Sequence, residues 1–187
     1  RFPDYLASKF RGDRIPHGQR QLAANRDLLA QAETASGVPA AVIAAIWGIE
    51  TSYGRVLGRY DLPSALATLA FDGRRRDLFT RELDAAVQMV GEGRVARESM
   101  KGSWAGAFGQ TQFLPSSYLA YGRDGDGDGK IDLWGSQPDV FASIGHYLAK
   151  SGWQPGEAWG FRTLVPDGFD RSAVAAAEPP TRCITPL

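Results

Sequence analysis

The sequence predicts a mainly α-helical globular domain, because apolar side chains recur along most of it at the intervals of a helix face. The pattern is clearest over residues 19–36 and in the run that ends at Glu50, and these two helices are expected to lie antiparallel. Further helices are predicted from residue 63 onward, over residues 77–90 and over residues 139–150. No internal repeat or long low-complexity stretch divides the chain, so one domain accounts for most of it.

Composition excludes several classes of protein. The 187 residues include 21 basic and 21 acidic side chains, so no net field favours nucleic acid or an anionic membrane surface. Cys183 is the only cysteine, which excludes an intramolecular disulfide, and His17 and His146 are too few for most histidine-based metal sites. A metal ion in this protein would therefore be held by oxygen atoms, and no pattern in the sequence predicts an organic cofactor.

The chain is predicted to end in a tail without a stable fold of its own. Residues 1–160 form the predicted domain, whereas residues 161–187 combine an alanine run with several prolines and have weak patterning. No apolar run is long enough to cross a bilayer. Because the first residue is Arg1 rather than methionine, we expect a removed leader or a longer parent chain, which leaves room for a membrane anchor outside this sequence.

Glu50 ends an apolar helix and is the first candidate for a catalytic acid. Residues 36–39 have the composition of a helix start, with a proline in the first turn, and Gly54 is the predicted stop. The Glu50 carboxyl then lies near the negative end of the helix dipole and on the face of Ile46 and Trp47. Both surroundings raise the pKa of a carboxyl, and a protonated carboxyl can donate to a leaving glycosidic oxygen. Glutamates in a last helical turn are more often simply solvated, and position alone leaves that alternative open.

Residues 124–139 are predicted to form an EF-hand-like calcium loop, since residues 124–132 match the first nine positions of that motif. Its glycine at position 6 permits the sharp turn, and Lys130 at position 7 offers its backbone carbonyl. Position 12, where the motif has a bidentate glutamate, is Gly135, so we expect Asp139 to close the site as a later ligand. One unpaired loop predicts a structural Ca²⁺ ion rather than a sensor, and an acidic turn without metal is the alternative. The acids at positions 1, 3, 5 and 9 are Asp124, Asp126, Asp128 and Asp132.

Two other stretches have a distinctive composition. Residues 74–76 are three consecutive arginines, which suit a carboxylate-bearing ligand, although a solvated helix start is the more common role of such a run. Glycines in residues 102–118 alternate with aromatic and amide side chains, and this composition predicts a tightly packed surface and not a linker. The aromatic and amide side chains of this stretch include Trp104, Phe108, Gln110, Gln112 and Phe113.

The Glu50 motif, residues 102–118 and the acidic loop, in this order, resemble the lytic murein transglycosylase B family. Residues 50–54 are similar to the family's catalytic segment. Residues 101–118, named the groove segment from here on, are similar to its glycan-groove segment, and the match spans residues 38–153. The resemblance implies a lysozyme-like helical catalytic domain with an inserted EF-hand-like calcium loop. It also implies a monomer that acts on peptidoglycan glycan strands in the periplasm or cell envelope of a bacterium.

The resemblance further implies roles for individual residues. Glu50 acts first as an acid and then as a base. The implied substrate-binding residues are Ser103, Gln112, Phe113, Tyr147, Arg74 and Arg75. The first two contact the sugar or its N-acetyl group, the two aromatic residues line the groove, and the arginines lie near the carboxylates of the muramyl unit. The sequence departs from the family pattern at Gln110 and Thr111, where an aromatic residue and a glycine are expected, and it lacks a tyrosine-asparagine pair near its C terminus.

The activity that the resemblance implies is cleavage of the β-1,4 bond between MurNAc and GlcNAc, with a 1,6-anhydromuramyl product and no water consumed. No obvious second carboxylate lies in the Glu50 motif. A hydrolytic muramidase is the first alternative, in which Asp61, Asp72 or another carboxylate activates water. A peptidoglycan-binding module without catalysis is the second.

Overall fold

Seven α-helices and one two-stranded sheet are delimited in the part of the chain that the computed structural model describes, which is residue 4, residues 12–157 and residues 160, 164 and 167–169. The helices are α1 Arg14–Ala24, α2 Arg26–Ser36, α3 Ala40–Thr51, α4 Leu62–Asp72, α5 Arg76–Gly91, α6 Pro115–Tyr121 and α7 Gln137–Lys150. A 3₁₀ turn covers Arg97–Ser99, and the antiparallel strands are β1 Tyr60–Asp61 and β2 Lys101–Gly102. The prediction of a mainly α-helical fold is confirmed.

The stretch predicted as one helix over residues 19–36 is two helices. Asn25 lies between α1 and α2, and its side-chain Nδ2 donates to the Gln21 carbonyl at 2.9 Å. An amide side chain that bonds to the preceding turn competes with the helical ladder, which explains the break. Helix α2 ends at Gly37 in the left-handed conformation (φ 71°), and the chain bends by 111° into α3. The prediction of an antiparallel pair is therefore wrong.

The other predicted helices are confirmed with small changes at their ends. The helix predicted from residue 63 is α4, the one over residues 77–90 is α5, and the one over residues 139–150 is α7. Each of α4 and α7 begins at a polar residue whose side chain accepts a backbone N–H of the first turn, as helix starts require. These residues are Asp61, which accepts from Ser64, and Ser136, which accepts from Asp139.

Two hydrophobic clusters form the core. One joins α2, α3 and α7, where Trp47 and Phe141 meet edge to face with ring centroids 5.0 Å apart. The other joins α4, α5, α6 and the groove segment, in which Phe108 and Tyr118 are fully buried. Within the groove segment, isolated bridges pair Gly102 with Phe108 and Phe108 with Phe113. This close packing confirms the prediction that the segment is not a linker.

The chain divides into two compact units, Arg1–Trp153 and Gln154–Leu187. In the second unit, a turn is closed by the Glu157 N–H, which donates to the Gln154 carbonyl at 3.2 Å. The predicted tail, residues 161–187, lies outside the described residues except at 164 and 167–169. Among the helices with described bounds, none is by itself long and apolar enough to cross a membrane, and α2 with α3 passes that test only as a bent pair.

Asp61 holds the start of α4 through hydrogen bonds, and the stability that they give to the fold depends on pH. Its carboxylate accepts two 2.8 Å hydrogen bonds from Arg97 and one of 2.6 Å from the Ser64 hydroxyl. The Arg97 hydrogen bonds, followed by those from Ser64, hold the pKa of Asp61 well below its ordinary value of 3.8. The stabilisation is therefore present above that ordinary value and is lost as the pH falls through the lower pKa of the folded state.

We expect the melting temperature of Asp61→Asn to lie below that of the wild type near neutral pH and to converge on it in strong acid. Thermal unfolding followed by circular dichroism across this range measures the difference. A difference that stays constant as the pH falls would contradict the assignment to Asp61.

Candidate active site

A cleft of about 370 Å³ lies where the two hydrophobic clusters meet. Helix α3 lines it with Ile46 and Glu50, and α7 lines it with Ile144 and Tyr147. The groove segment and the start of α6 complete the lining. Their residues in the cleft are Thr111, Gln112, Phe113, Leu114 and Ser117.

Glu50 lies in the last turn of α3 and is exposed, one turn after Ile46. The helix stops two residues earlier than predicted, because Ser52 and Tyr53 are already left-handed (φ 51° and 63°) before Gly54 (φ 77°). Left-handed conformations of residues other than glycine are costly and persist only where the surroundings hold them. Here the Ser52 N–H donates to the Gly48 carbonyl at 3.1 Å and the Gly54 N–H donates to the Thr51 hydroxyl at 3.0 Å. The chain therefore turns away sharply just after Glu50.

Tyr53 fixes this turn against two helices. Its ring meets Trp47 edge to face at 5.4 Å and His17 of α1 at 5.0 Å between centroids. A Cβ atom at Gly18 or at Gly48 would overlap the Tyr53 ring or its hydroxyl, so both helices need glycine where the ring passes. Helix α1 thus supports the segment that carries Glu50, although it lies far from it in sequence.

Gln110 joins α3 to the groove segment. It is 3% exposed, and its Oε1 accepts from the Trp47 indole at 2.7 Å while its Nε2 donates to the Trp134 carbonyl at 2.9 Å. Its backbone carbonyl accepts from the Thr51 hydroxyl at 3.1 Å. A buried amide with both ends bonded specifies one arrangement of its neighbours. From the sequence, Gln110 was noted as an amide side chain of the packed stretch 102–118 and as a departure from a family pattern, but this bridging role was not predicted.

Three of the predicted substrate-binding residues share the cleft with Glu50. They are Gln112, Phe113 and Tyr147. Gln112 has a left-handed backbone (φ 51°), and its Nε2 donates to the Gly109 carbonyl at 3.1 Å. The rings of Phe113 and Tyr147 are 5.5 Å apart, and Tyr121 of α6 packs edge to face on Tyr147 at 5.1 Å. These contacts give the cleft an aromatic wall.

The other three predicted binding residues do not line the cleft. Ser103 begins a tight turn, in which its hydroxyl accepts from the Ala107 N–H at 3.1 Å. Arg74 and Arg75 are exposed between α4 and α5, and Arg75 is the N-cap of α5. The wall residues Ile144, Leu114 and Ser117 were not predicted individually, although Leu114 and Ser117 lie in the groove segment. Ile144 was within reach of a sequence argument, because it precedes Tyr147 by one helical turn of α7.

No second carboxylate joins Glu50 in the lining of the cleft, as far as the chain is described. Asp61 is outside that lining and is held by Arg97 and Ser64. Asp72 is exposed at the last position of α4. The two carboxylates considered as activators of water are thus both away from the cleft walls.

The acidic loop brings three carboxylates together. One ligand oxygen each from Asp124, Asp126 and Asp128 lies within 4.8 Å of the others. The two Asp124 oxygens accept the backbone N–H groups of Gly127 and Gly129, at 2.6 and 2.8 Å. The Gly129 hydrogen bond, which is the largest cause, holds the pKa of Asp124 below its ordinary value. Charged carboxylates this close repel one another unless a cation lies between them, and oxygen-only ligands suit a hard cation such as Ca²⁺.

Asp139 joins the two ends of the loop through hydrogen bonds to its backbone. It is 1% exposed, and its oxygens accept the backbone N–H groups of Gly125 at 2.7 Å and Asp132 at 2.6 Å. Burial raises the pKa of Asp139. Asp139 is not a member of the cluster of three carboxylates, so its role as a metal ligand stays a prediction. Lys130 also lies in this loop, where its backbone N–H donates to Asp128 at 2.8 Å.

Among the described residues, Glu50 is the one carboxylate that lines the aromatic-walled cleft of this mainly helical domain, and a carboxyl group in a cleft is the acid that glycan-cleaving enzymes use. The family model described as "Transglycosylase SLT domain" matches residues 1–182, and the chain belongs to that family. The predicted resemblance to lytic murein transglycosylases of the B family is confirmed by individual relatives.

The chain is 40% identical to the membrane-bound lytic murein transglycosylase B of Escherichia coli, over 76% of this chain and 41% of the relative. It is 43% identical to SltB3 of Pseudomonas aeruginosa, solved in complex with NAG-NAM-pentapeptide, with a TM-score of 0.83 over 90% of this chain and 45% of that one. It is 37% identical to the Escherichia coli lytic transglycosylase SLT35 in complex with calcium, with a TM-score of 0.77 over 83% of this chain and 50% of that one. The chain therefore spans half or less of the length of these relatives.

Proposed function

We propose that this chain is a peptidoglycan lytic transglycosylase domain that cleaves the β-1,4 bond between MurNAc and GlcNAc and leaves a 1,6-anhydromuramyl end. The observation that carries the proposal is the cleft itself, in which Glu50 is the one carboxylate lining the walls among the described residues. Hydrolysis of a glycosidic bond ordinarily uses two carboxylates, whereas intramolecular attack by a sugar hydroxyl needs one group that gives and then takes a proton. Membership of the transglycosylase SLT family supports the same chemistry.

In the first step, protonated Glu50 donates to the glycosidic oxygen as the bond to the anomeric carbon breaks. The muramyl N-acetyl group or nearby dipoles stabilise the positive charge that develops at that carbon. Ile46 and the aromatic wall line the same cleft as Glu50, so a sugar bound against them would exclude water from the proton transfer.

In the second step, the Glu50 carboxylate accepts the proton of the C6 hydroxyl while the oxygen of that hydroxyl attacks the anomeric carbon. The new C–O bond closes the anhydro ring, and Glu50 regains the proton that it gave. The hydroxyl belongs to the same sugar, so its effective concentration exceeds that of a water molecule that must be ordered first. No water is consumed.

The side chains around Glu50 bind the substrate. Gln112 bonds the sugar or its N-acetyl group, and Phe113 and Tyr147 form an apolar wall for the ring. Ser103, Arg74 and Arg75 are proposed for parts of the substrate outside the cleft, the arginines for the carboxylates of a peptide stem. A relative solved with NAG-NAM-pentapeptide supports a substrate of this kind.

We also propose a structural Ca²⁺ ion in the loop 124–139. The carboxylates of the cluster and the Lys130 carbonyl would hold it, and Asp139 would supply the later ligand or keep the loop closed around it. The convergence of three carboxylate oxygens supports this site, as does the calcium complex of a relative that is 37% identical. The ion takes no part in the reaction.

The proposed setting is the cell envelope of a bacterium, in its periplasm, where glycan strands are accessible. Two relatives from bacteria, one membrane-bound and one named a soluble enzyme, support an envelope location with or without an anchor outside this chain. Within the chain we propose residues 1–160 as the catalytic domain, residues 161–187 as a tail, and a monomer as the working form.

The mass of the product tests the proposed reaction. Digestion of purified murein should yield muropeptides lighter by one water than those made by a hydrolytic muramidase. The expected result in mass spectrometry is an anhydromuramyl end on most new products, with a muramidase digest of the same murein as the control. Reducing ends would instead point to hydrolysis, and no release of fragments would point to a binding module.

A further inference from the structure

Glu82 is a buried carboxyl group that the proposed reaction does not use. It lies on the inner face of α5 and is 3% exposed. Burying a carboxyl is costly unless hydrogen bonds replace its hydration. Both oxygens accept from one residue, Oε2 from the Ser116 N–H at 2.9 Å and Oε1 from the Ser116 hydroxyl at 2.7 Å. This forked contact joins α5 to the first turn of α6.

Helix α6 has no cap within its own segment. Its N-cap is Leu114, which makes no side-chain cap hydrogen bond, and its first residue is Pro115, which has no N–H to donate. The N–H of Ser116 is therefore the first in the helix that needs an acceptor. Glu82, which lies 34 positions earlier in the chain, provides that acceptor. A helix of seven residues is too short to be stable alone. The position at which α6 begins therefore depends on Glu82.

Helix α6 and its N-cap residue contribute two side chains to the lining of the cleft. Leu114 and Ser117 lie on either side of Ser116 in the sequence, and both line the cleft. At the other end of α6, Tyr121 packs on Tyr147, which lines the cleft from α7. A shift of α6 would therefore move two lining residues directly and a third through an aromatic contact.

We propose that Glu82 is a positioning residue for the glycan cleft, acting through Ser116 on the wall formed by Leu114 and Ser117. The nature of the ligand rests on the proposed function. A glutamate among the mixed charges of α5 gives no local sign of this role, because its partner becomes visible only when the two helices pack together.

The test combines two single variants and their double. Glu82→Gln keeps the size of the side chain, but one acceptor oxygen becomes an NH₂ group that can only donate. The contact with the Ser116 hydroxyl must therefore reverse its direction, and the charged acceptor is lost. We expect kcat/KM on peptidoglycan to fall on the order of tenfold, with KM raised, because small displacements in a binding site have effects of this size or larger. Ser116→Ala keeps the backbone N–H donor, so its kcat/KM should fall by less. The double variant should lose less than the product of the two single effects, because both act through one contact.

Two matched controls separate positioning from general stability. Asp84→Asn changes an exposed carboxylate on the same helix and should leave kcat/KM unchanged. Met89→Ala removes a fully buried side chain two turns along the same face of α5, and should lower the melting temperature without raising KM well below that temperature. If Met89→Ala raises KM as much as Glu82→Gln does, or if the effects of Glu82→Gln and Ser116→Ala multiply independently, the inference is overturned.

Binding of muropeptide fragments keeps this inference separate from the proposed reaction. Affinity is measured by calorimetry for Glu50→Gln and for Glu50→Gln with Glu82→Gln, neither of which needs to turn over. Weaker binding of the double variant is expected. Equal affinities would overturn the role of Glu82 whether or not the wild type forms an anhydro product, whereas wild-type protein that binds but forms no such product would reject only the proposed reaction.

Discussion

Glu50→Gln is expected to lose at least about a thousandfold in turnover of murein, the upper part of the range for a group that acts as general acid or base. Glutamine cannot donate the proton that the leaving oxygen needs, nor accept the one from the C6 hydroxyl. The loss should be larger than for a residue with a single role, since both steps use the same group. Release of soluble muropeptides from purified murein measures the effect.

The fold of this variant should be preserved, because the side chain is exposed at the end of α3 and glutamine is close to glutamate in size. Exposed substitutions of this kind change the free energy of unfolding by about 0.5 kcal/mol or less. Glycan binding should also persist, since the walls of the cleft are unchanged. Glu98→Gln is the matched control, an exposed glutamate outside the cleft lining that should keep full activity. Substantial turnover by Glu50→Gln would reject Glu50 as the acid and base.

Removal of calcium is expected to have the second largest effect, this time on stability. An ion at one hundred times its Kd stabilises the folded state by about 2.7 kcal/mol. For a domain of this size, that corresponds to a fall in melting temperature of roughly 5 to 10 °C when a chelator removes the ion. The physical reason is that the carboxylates of Asp124, Asp126 and Asp128 lie within 4.8 Å of one another and repel when nothing lies between them.

Thermal unfolding with calcium, and with chelator at the same ionic strength, measures this effect. Asp126→Asn and Asp128→Asn each remove a charged ligand and should reduce the response to calcium, while Asp84→Asn should respond as the wild type does. An unchanged melting temperature at low free calcium would contradict the structural role of the ion and leave a plain acidic turn.

Local features of the sequence were sufficient for much of this fold. Apolar periodicity predicted α4, α5 and α7, because residues three and four apart share a helix face whatever else the chain does. The same rule placed Glu50 in the last turn of its helix and one turn after Ile46. The alternation of acids and glycines brought Asp124, Asp126 and Asp128 together, since each side chain there bonds to backbone N–H groups only a few residues away.

Local rules failed where a short-range signal competed with them. Asn25 divided the first predicted helix through a hydrogen bond to the preceding turn. The turn after α3 began at Ser52 rather than at Gly54, because its left-handed residues are held by Tyr53 packed against α1. Neither strain nor its compensation is visible from the residue types alone.

Sequence by itself therefore determined the family, the mainly helical class, the site of the candidate acid and the acidic loop. Only the tertiary structure decided which side chains meet around that acid. It brought Gln112, Phe113 and Tyr147 to the cleft but left Ser103 and the arginines outside its lining. It also paired Trp47 with Gln110 and Glu82 with Ser116. Such contacts join residues 34 to 63 positions apart, and they form only when packing brings distant faces together and buried polar groups must find partners there.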